Sequence, residues 1–264
     1  MLRLRTYQLG TLRQRGGGLY NFNGSATLTD VILSGNQASG EGGVYNLGTL
    51  ILISDTLSGN STAVYGGDIS NETGALTMTN VTLNGNTSPY YGGIFNNLGL
   101  STLTNATLSG NSATLAGGGI FNNSGTPRLT NVTLSGNSAE VIGGISSAAP
   151  ISLTNTIVAN SPSGGNCSAA LGGIENLSSD NTCGFGAGRD NVDILLAPLG
   201  NYRGPTLTHL PIPGSPAIDY GTDIGCPSTD QRGLPRPAGL RCDVGAVERQ
   251  VVDVGSLYLP LILK

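Results

Sequence analysis

The chain has 264 residues, of which only 11% are charged and 5% aromatic; tryptophan is absent and 42 positions are glycine. A net charge of −4 argues against a nucleic-acid partner, which would need clustered Lys and Arg on one face. No apolar run approaches the ~20 residues of a membrane-spanning helix, while a hydrophobic content of 38% is enough to fill a core.

Residues 1–15, "MLRLRTYQLGTLRQR", are basic and lack the apolar stretch of a secretion signal. They read as an N-terminal cap or a truncated start, with further coils expected upstream. From 16 to 165 the sequence repeats itself, and its only basic residue is Arg128. Asn36, Asn60, Asn86, Asn111, Asn137 and Asn160 close similar "SGN" corners at spacings of 24, 26, 25, 26 and 23. A second series runs Asp30, Asp55, Asn80, Asn105, Asn131, Asn155. A third runs Asn21, Asn46, Asn71, Asn96, Asn122, with Ser146 substituting in the next copy. Three registers sharing one period describe one supersecondary unit stacked on itself.

Between the corners the apolar residues alternate, as in "LTMT" with Leu76 and Met78 and in "VTL" with Val81 and Leu83. That is strand periodicity, and the runs are short and rich in Thr, Val and Gly. Three short strands per copy predict an all-β fold: a right-handed parallel β-helix of about six coils, with period ~25 and a rise of ~4.8 Å per coil. The repeated asparagines suit corners that need φ > 0, and stacked they can hydrogen-bond from coil to coil. The glycine pairs Gly42-Gly43, Gly92-Gly93, Gly118-Gly119 and Gly143-Gly144 stand where a Cβ would clash.

The acids on the coils are Asp30, Glu41, Asp55, Asp68, Glu72 and Glu140. Asp30 and Asp55 share the second series. Stacked, they could share a proton, bind a cation or work as acid and base, which makes them the candidate catalytic residues. The alternative is that Asp replaces Asn at two solvated turns. Asp68 and Glu72 read as solvated loop charges. Arg128 has no acidic cluster in its register, so neither a calcium-dependent lyase site nor a two-carboxylate glycosidase site is evident, and no cofactor or metal is expected. Tyr20, Tyr45, Phe95 and Phe121 recur at one register, interrupted by Ser70 and ended by Ser146. Alternation places the preceding aliphatic row (Leu19, Val44, Ile69, Ile94, Ile120, Ile145) inside, which turns the aromatic row outward as a possible glycan-facing surface; packing within the core is the other reading.

The segment from 166 to 250 leaves the repeat and holds all four cysteines. None shows the C-x-x-C spacing of a zinc site, so two disulfides and an oxidising, extracytoplasmic setting are expected. Three connectivities are open; the sequence-near one, Cys167 with Cys183 and Cys226 with Cys242, closes at least cost. "GPTLTHLPIPGSPAIDYG" (204–221), "DQRGLPRP" (230–237) and "CDVGAVE" (242–248) resemble, in order and spacing, the choice-of-anchor Q domain. The coils resemble the Pmp-like β-helix repeat class. The resemblance implies an exported surface protein of unassigned biochemical activity. Within its motifs lie Asp219, Asp230, Arg232, Asp243 and Glu248, where Arg232 is expected to pair with Asp243 or Asp219 and tie irregular loops together. Residues 251–264 end in "LYLPLILK", similar to the terminal tails of some proteins of this class. The expected function is a cell-surface, non-enzymatic, adhesin-like or structural β-helix with glycans or other surface proteins as partners. The alternative is a carbohydrate-binding or polysaccharide-degrading one.

Overall fold

The computed structural model describes residues 16–40 and 42–250. Glu41 and both termini, which carry the expected cap and tail, lie outside the described residues.

The alternating pattern produces strands that pair only with the equivalent strand of the neighbouring coil, always in parallel. The stack is an all-β parallel solenoid of about six coils, flanked by three sheets of six, eleven and four strands. One sheet stacks Leu19–Asn21, Val44–Asn46, Ile69–Asn71, Ile94–Asn96, Ile120–Asn122 and Ile145–Ser147. In the largest sheet, Leu76 and Met78 point inward at 1% and 0% exposure while Thr77 between them is exposed. An aliphatic column that includes Val44, Leu52, Ile69, Leu83, Leu108 and Leu134 fills the coils, and a second buried cluster gathers Ile157, Leu177, Ile194, Ala217 and Val244.

The three asparagine registers do different work. In the first, Asn36, Asn60, Asn86, Asn111 and Asn137 are buried. The positive φ expected of them belongs instead to the preceding glycines, Gly35, Gly59, Gly85, Gly110 and Gly136. Relieved of the bend, each asparagine points inward and stacks. Asn160 departs from this row: its own φ is 57°, it is exposed, and its Nδ2 approaches Ser135 Oγ at 3.5 Å. The third register forms a second buried ladder, Nδ2 to Oδ1, at 2.8 Å from Asn21 to Asn46 and 2.8 Å from Asn46 to Asn71, then 2.9 Å to Asn96 and 3.0 Å to Asn122. It is continued by Ser147, not Ser146, because Asn122 pairs with Ser147 and donates to its Oγ at 3.0 Å.

The second register holds the left-handed corners: Asp30, Asn80, Asn105, Asn131 and Asn155 all have φ between 49° and 59°. Its expected member Asp55 is out of line. Ser54, with φ of 55°, takes that corner, and Thr56 pairs with Ile32 and Thr82, which sets Asp55 level with Val31 and Val81. The cause is a coil one residue short: Thr29 pairs with Ile53, 24 positions on.

Coil-to-coil pairing continues past 165, through Ile145 with Cys167 and Ile157–Val158 with Leu177–Ser178. The chain then runs back along the outside of the largest sheet. The disulfides join Cys167 to Cys183 and Cys226 to Cys242, as the sequence-near connectivity requires.

Candidate functional site

The aromatic row keeps its register, with Tyr20 beside Tyr45, Tyr45 beside Ser70, Phe95 beside Phe121 and Phe121 beside Ser146. Its aliphatic neighbours Val44, Ile69, Ile94 and Ile120 are at 0–1% exposure inside the column, so the rings lie on the outer side of the sheet. They are not bare. Tyr20 is half exposed, but Tyr45 and Phe95 are covered by neighbouring rings. Tyr20 stacks on Tyr45 at 5.5 Å and 5°. Tyr91 stacks on Phe121 at 3.7 Å and on Phe95 at 4.9 Å, while Tyr65 lies 5.4 Å from Phe95.

Tyr65 and Tyr91 come from the turns before the glycine pairs of successive coils, "VYGG" and "YYGG". They were legible as a repeat feature, yet their part in the same cluster depends on how the turn folds onto the sheet. Two residues beyond the aromatic register, on the same side of the strand pleat, stand Glu72, Asn97 and Asn123. These form a third, outer ladder: Asn123 Nδ2 donates to Asn97 Oδ1 at 2.8 Å, and Asn97 Nδ2 donates to Glu72 Oε2 at 2.8 Å. Ser70 Oγ donates to Glu72 Oε1 at 3.3 Å. Glu72 therefore anchors a polar rail instead of being a lone solvated charge.

Between ridge and rail runs a groove of about 450 Å³, lined by Tyr45, Tyr65, Tyr91, Phe95 and Phe121 on one side and Glu72, Asn97 and Asn123 on the other. That volume lies within the range of small-ligand clefts, which pair aromatic surface with a few fixed polar groups. Among the described residues no Lys or Arg lines the groove. Arg128 sits exposed in the largest sheet, paired with Thr102 and Ser152. Burial of Tyr91 and the neighbouring Tyr65 and Tyr90 raise its hydroxyl pKa above the ordinary value of 10.

Asp30 and Asp55 do not stack in one register as expected, although the charge of Asp30 still reaches Asp55. Asp30 is exposed at its corner. Asp55 is fully buried, and its oxygens accept the N–H groups of Val31 at 2.7 Å and Ile53 at 3.0 Å. Burial raises its pKa to about 6 against the lowering effect of those two bonds. Asp68, expected as a solvated loop charge, is fully buried as well. Val44 N–H bonds to Asp68 O, and Asp68 N–H to Gly93 O, so Asp68 occupies the register of Gly43 and Gly93. Its carboxylate enters the first asparagine ladder and accepts Asn60 Nδ2 at 3.0 Å and Asn86 Nδ2 at 2.9 Å. Burial pushes its pKa well above the usual carboxylate range.

The returning C-terminal segment is held by the second register and by the threonine row beside it. Asn105 donates to Thr229 O, Asn131 to Asp243 O and Asn155 to Thr222 O at 2.8, 3.0 and 2.9 Å. Gln231 reaches the coils from this strap, accepting Thr107 Oγ1 at 2.6 Å and donating to Thr82 Oγ1 at 2.9 Å. Gly245, with φ of 97°, lies so close that an added Cβ would sit 2.7 Å from Ile157 and Thr133, which accounts for glycine in "CDVGAVE". His209 accepts or shares a bond with Ser109 Oγ at 2.9 Å through Nε2, and its Nδ1 faces Ala197 O at 2.8 Å. Burial lowers its pKa, so the neutral ring, donating from Nδ1 and accepting at Nε2, fits this site.

Arg232 was expected to pair with Asp243 or Asp219; among the described residues its carboxylate partner is Asp230, at 2.9 Å and fully buried. Asp243 instead accepts the backbone N–H groups of Asp219 and Arg249 at 2.7 and 2.6 Å. Arg236 Nε lies 3.1 Å from Glu248 Oε2, within ion-pair range, although its N–H is not aligned for a hydrogen bond. Burial raises Asp243 to about 7 and also raises Glu248. These groups tie loops together inside the strap.

Among the described residues no cluster of three His, Cys, Asp or Glu side chains could hold a metal, and no helix is long and apolar enough to cross a membrane. No protein-family model, curated protein or solved structure matches the chain.

Proposed function

We propose that this protein is an exported, adhesin-like β-solenoid that recognises glycans through the aromatic groove and performs no chemistry on them. One observation carries the reading: an outward ridge of stacked rings faces a hydrogen-bonded rail of two carboxamides and a carboxylate across a groove of about 450 Å³. Sugar rings have the matching character, with C–H faces for the aromatic side and hydroxyl edges for the polar side. The two disulfides support an oxidising, extracytoplasmic setting. The motif resemblance of the strap to the choice-of-anchor Q domain supports display at a bacterial cell surface. The burial of Asp55, one register step from exposed Asp30, supports the absence of a working carboxylate pair.

A glycan array probed with the wild-type chain and with Phe121→Ala, run beside a polysaccharide-degradation screen, tests both halves of the proposal. Retention that is lost in the variant, without turnover, is the expected result. Hydrolysis or elimination abolished by Asp55→Asn would overturn the non-enzymatic reading.

A further inference from the structure

We infer that the groove selects neutral, hydroxyl-rich saccharides laid parallel to the solenoid axis and rejects acidic ones. This deepens the glycan reading of the groove and rests on it.

The axial direction follows from how the groove is built. Glu72, Asn97 and Asn123 belong to three successive coils, and Phe95 and Phe121 step along the same axis in adjacent coils. Ridge and rail therefore advance together by one coil, ~4.8 Å, which is close to the length of one sugar ring. An oligosaccharide lying along the axis meets one polar side chain of the rail per unit, with Phe95 and Phe121 beside the two carboxamides and Ser70 beside Glu72. A chain lying across it would leave the groove after a single unit. Ring faces are available where the aromatic row is interrupted: Ser146 stands in the next coil where another ring would have covered Phe121, and Phe121 is half-buried.

The preference for neutral ligands follows from charge. Among the described residues Glu72 is the one charged side chain lining the groove, and the remaining polar groups are neutral carboxamides and tyrosine hydroxyls. Carboxamides both donate and accept, which suits hydroxyl groups that do the same. A uronate in the groove would bring its carboxylate towards Glu72 with no cation among the described lining residues to offset the repulsion. Aromatic rings beside a carboxylate also suit an organic cation. Here both Glu72 oxygens are engaged by Ser70 and Asn97, and Tyr91 and Phe121 are stacked on each other at 15° instead of being splayed as a cage.

The test is calorimetric titration of the full chain with neutral β-linked glucose and N-acetylglucosamine trisaccharides, a galacturonate trisaccharide, and tetramethylammonium chloride. A neutral trisaccharide is expected to bind, with the galacturonate about fivefold or more weaker. Glu72→Gln should narrow that gap, because it removes the charge and keeps the shape. Phe121→Ala should weaken neutral binding about tenfold, and Leu240→Ala, exposed on the strap and outside the groove lining, should leave it unchanged. Asn123→Ala, at an exposed rail position, serves the same purpose should Phe121→Ala fail to fold. Equal or tighter binding of galacturonate by the wild type, or an undiminished gap in Glu72→Gln, overturns the neutral selectivity while leaving glycan recognition standing. Binding of tetramethylammonium with no saccharide bound, or no binding of any probe, overturns both.

Discussion

Asn111 donates twice to one atom of the next coil: its backbone N–H and its side-chain Nδ2 both reach Asn137 Oδ1, each at 3.0 Å. Asn86 makes the same double donation to Asn111 at 3.0 and 2.9 Å. A buried carboxamide that serves two coils at once cannot be removed without leaving donors and acceptors unpaired on both sides.

Asn111→Ala is therefore expected to cost about 3 kcal/mol or more, since each orphaned buried polar group costs about 1–3 kcal/mol. Urea unfolding measures it. The left-handed bend is supplied by Gly110 at φ of 62°, so Gly110→Val should destabilise independently, through backbone strain. An Asn111→Ala variant as stable as the wild type would mean that the ladder does not hold the coils together.

Asp68 places a carboxylate where neighbouring coils have Gly43 and Gly93. Removing it should let Asn60 Nδ2 turn to Asn86 Oδ1, which Asn60 N–H already reaches at 2.8 Å. Asp68→Gly is expected to raise the melting temperature at pH 8, with a gain of about 1–2 kcal/mol after the ~0.5–1 kcal/mol entropic cost of glycine. A lower melting temperature would show that the two Asn–Asp bonds outweigh the desolvation of the acid.

The Cys226–Cys242 bridge closes a strap loop with a separation of 16 positions, worth roughly 3 kcal/mol on the chain-entropy model. Replacing both cysteines with serine should raise hydrogen exchange across 204–248 while the amides of the buried asparagine ladders stay protected. Gln231→Leu should act on the same segment, because it abandons Thr82 and Thr107 as partners. Uniform exchange throughout the chain in either variant would show that strap and coils unfold as one unit.

Asp243 gives the strap a pH dependence whose sign is set by burial. Its folded pKa of about 7 stands above the ordinary 3.8, so the folded chain holds that proton when the unfolded chain has lost it. The stability it contributes is greatest at low pH and falls as pH rises from about 4 through 7, by an amount on the order of 3 kcal/mol. Because His209, whose pKa is lowered, acts in the opposite sense below its ordinary 6.5, the comparison is wild type minus Asp243→Asn. That difference should shrink between pH 4 and pH 8. A difference that stays constant would remove Asp243 as the cause.

The repeat, the parallel stacking and the disulfide pairing were open to sequence reasoning, because each copy is paired with its neighbour and local alternation decides which side chains enter the column. Register-level assignments were less secure, and the failures have one physical origin. Asp55 looks like a member of the Asp30 series by a spacing of 25, yet its coil is one residue short, and that single step carries it from a solvated corner into the core. Asp68 looks like a loop charge until it is aligned through Ile69 with Val44, which puts it on a glycine position facing the ladder. The three asparagine series look alike as letters. One stacks behind glycine bends, one stacks in a second ladder, and one turns outward to hold the strap. Composition and period determined what kind of object this chain folds into. Which face became the groove, and which threonines lie under the strap, was decided only in three dimensions, because Tyr65 and Tyr91 reach Phe95 and Phe121, and Gln231 reaches Thr82, across coils and from distant stretches of chain that no local pattern connects.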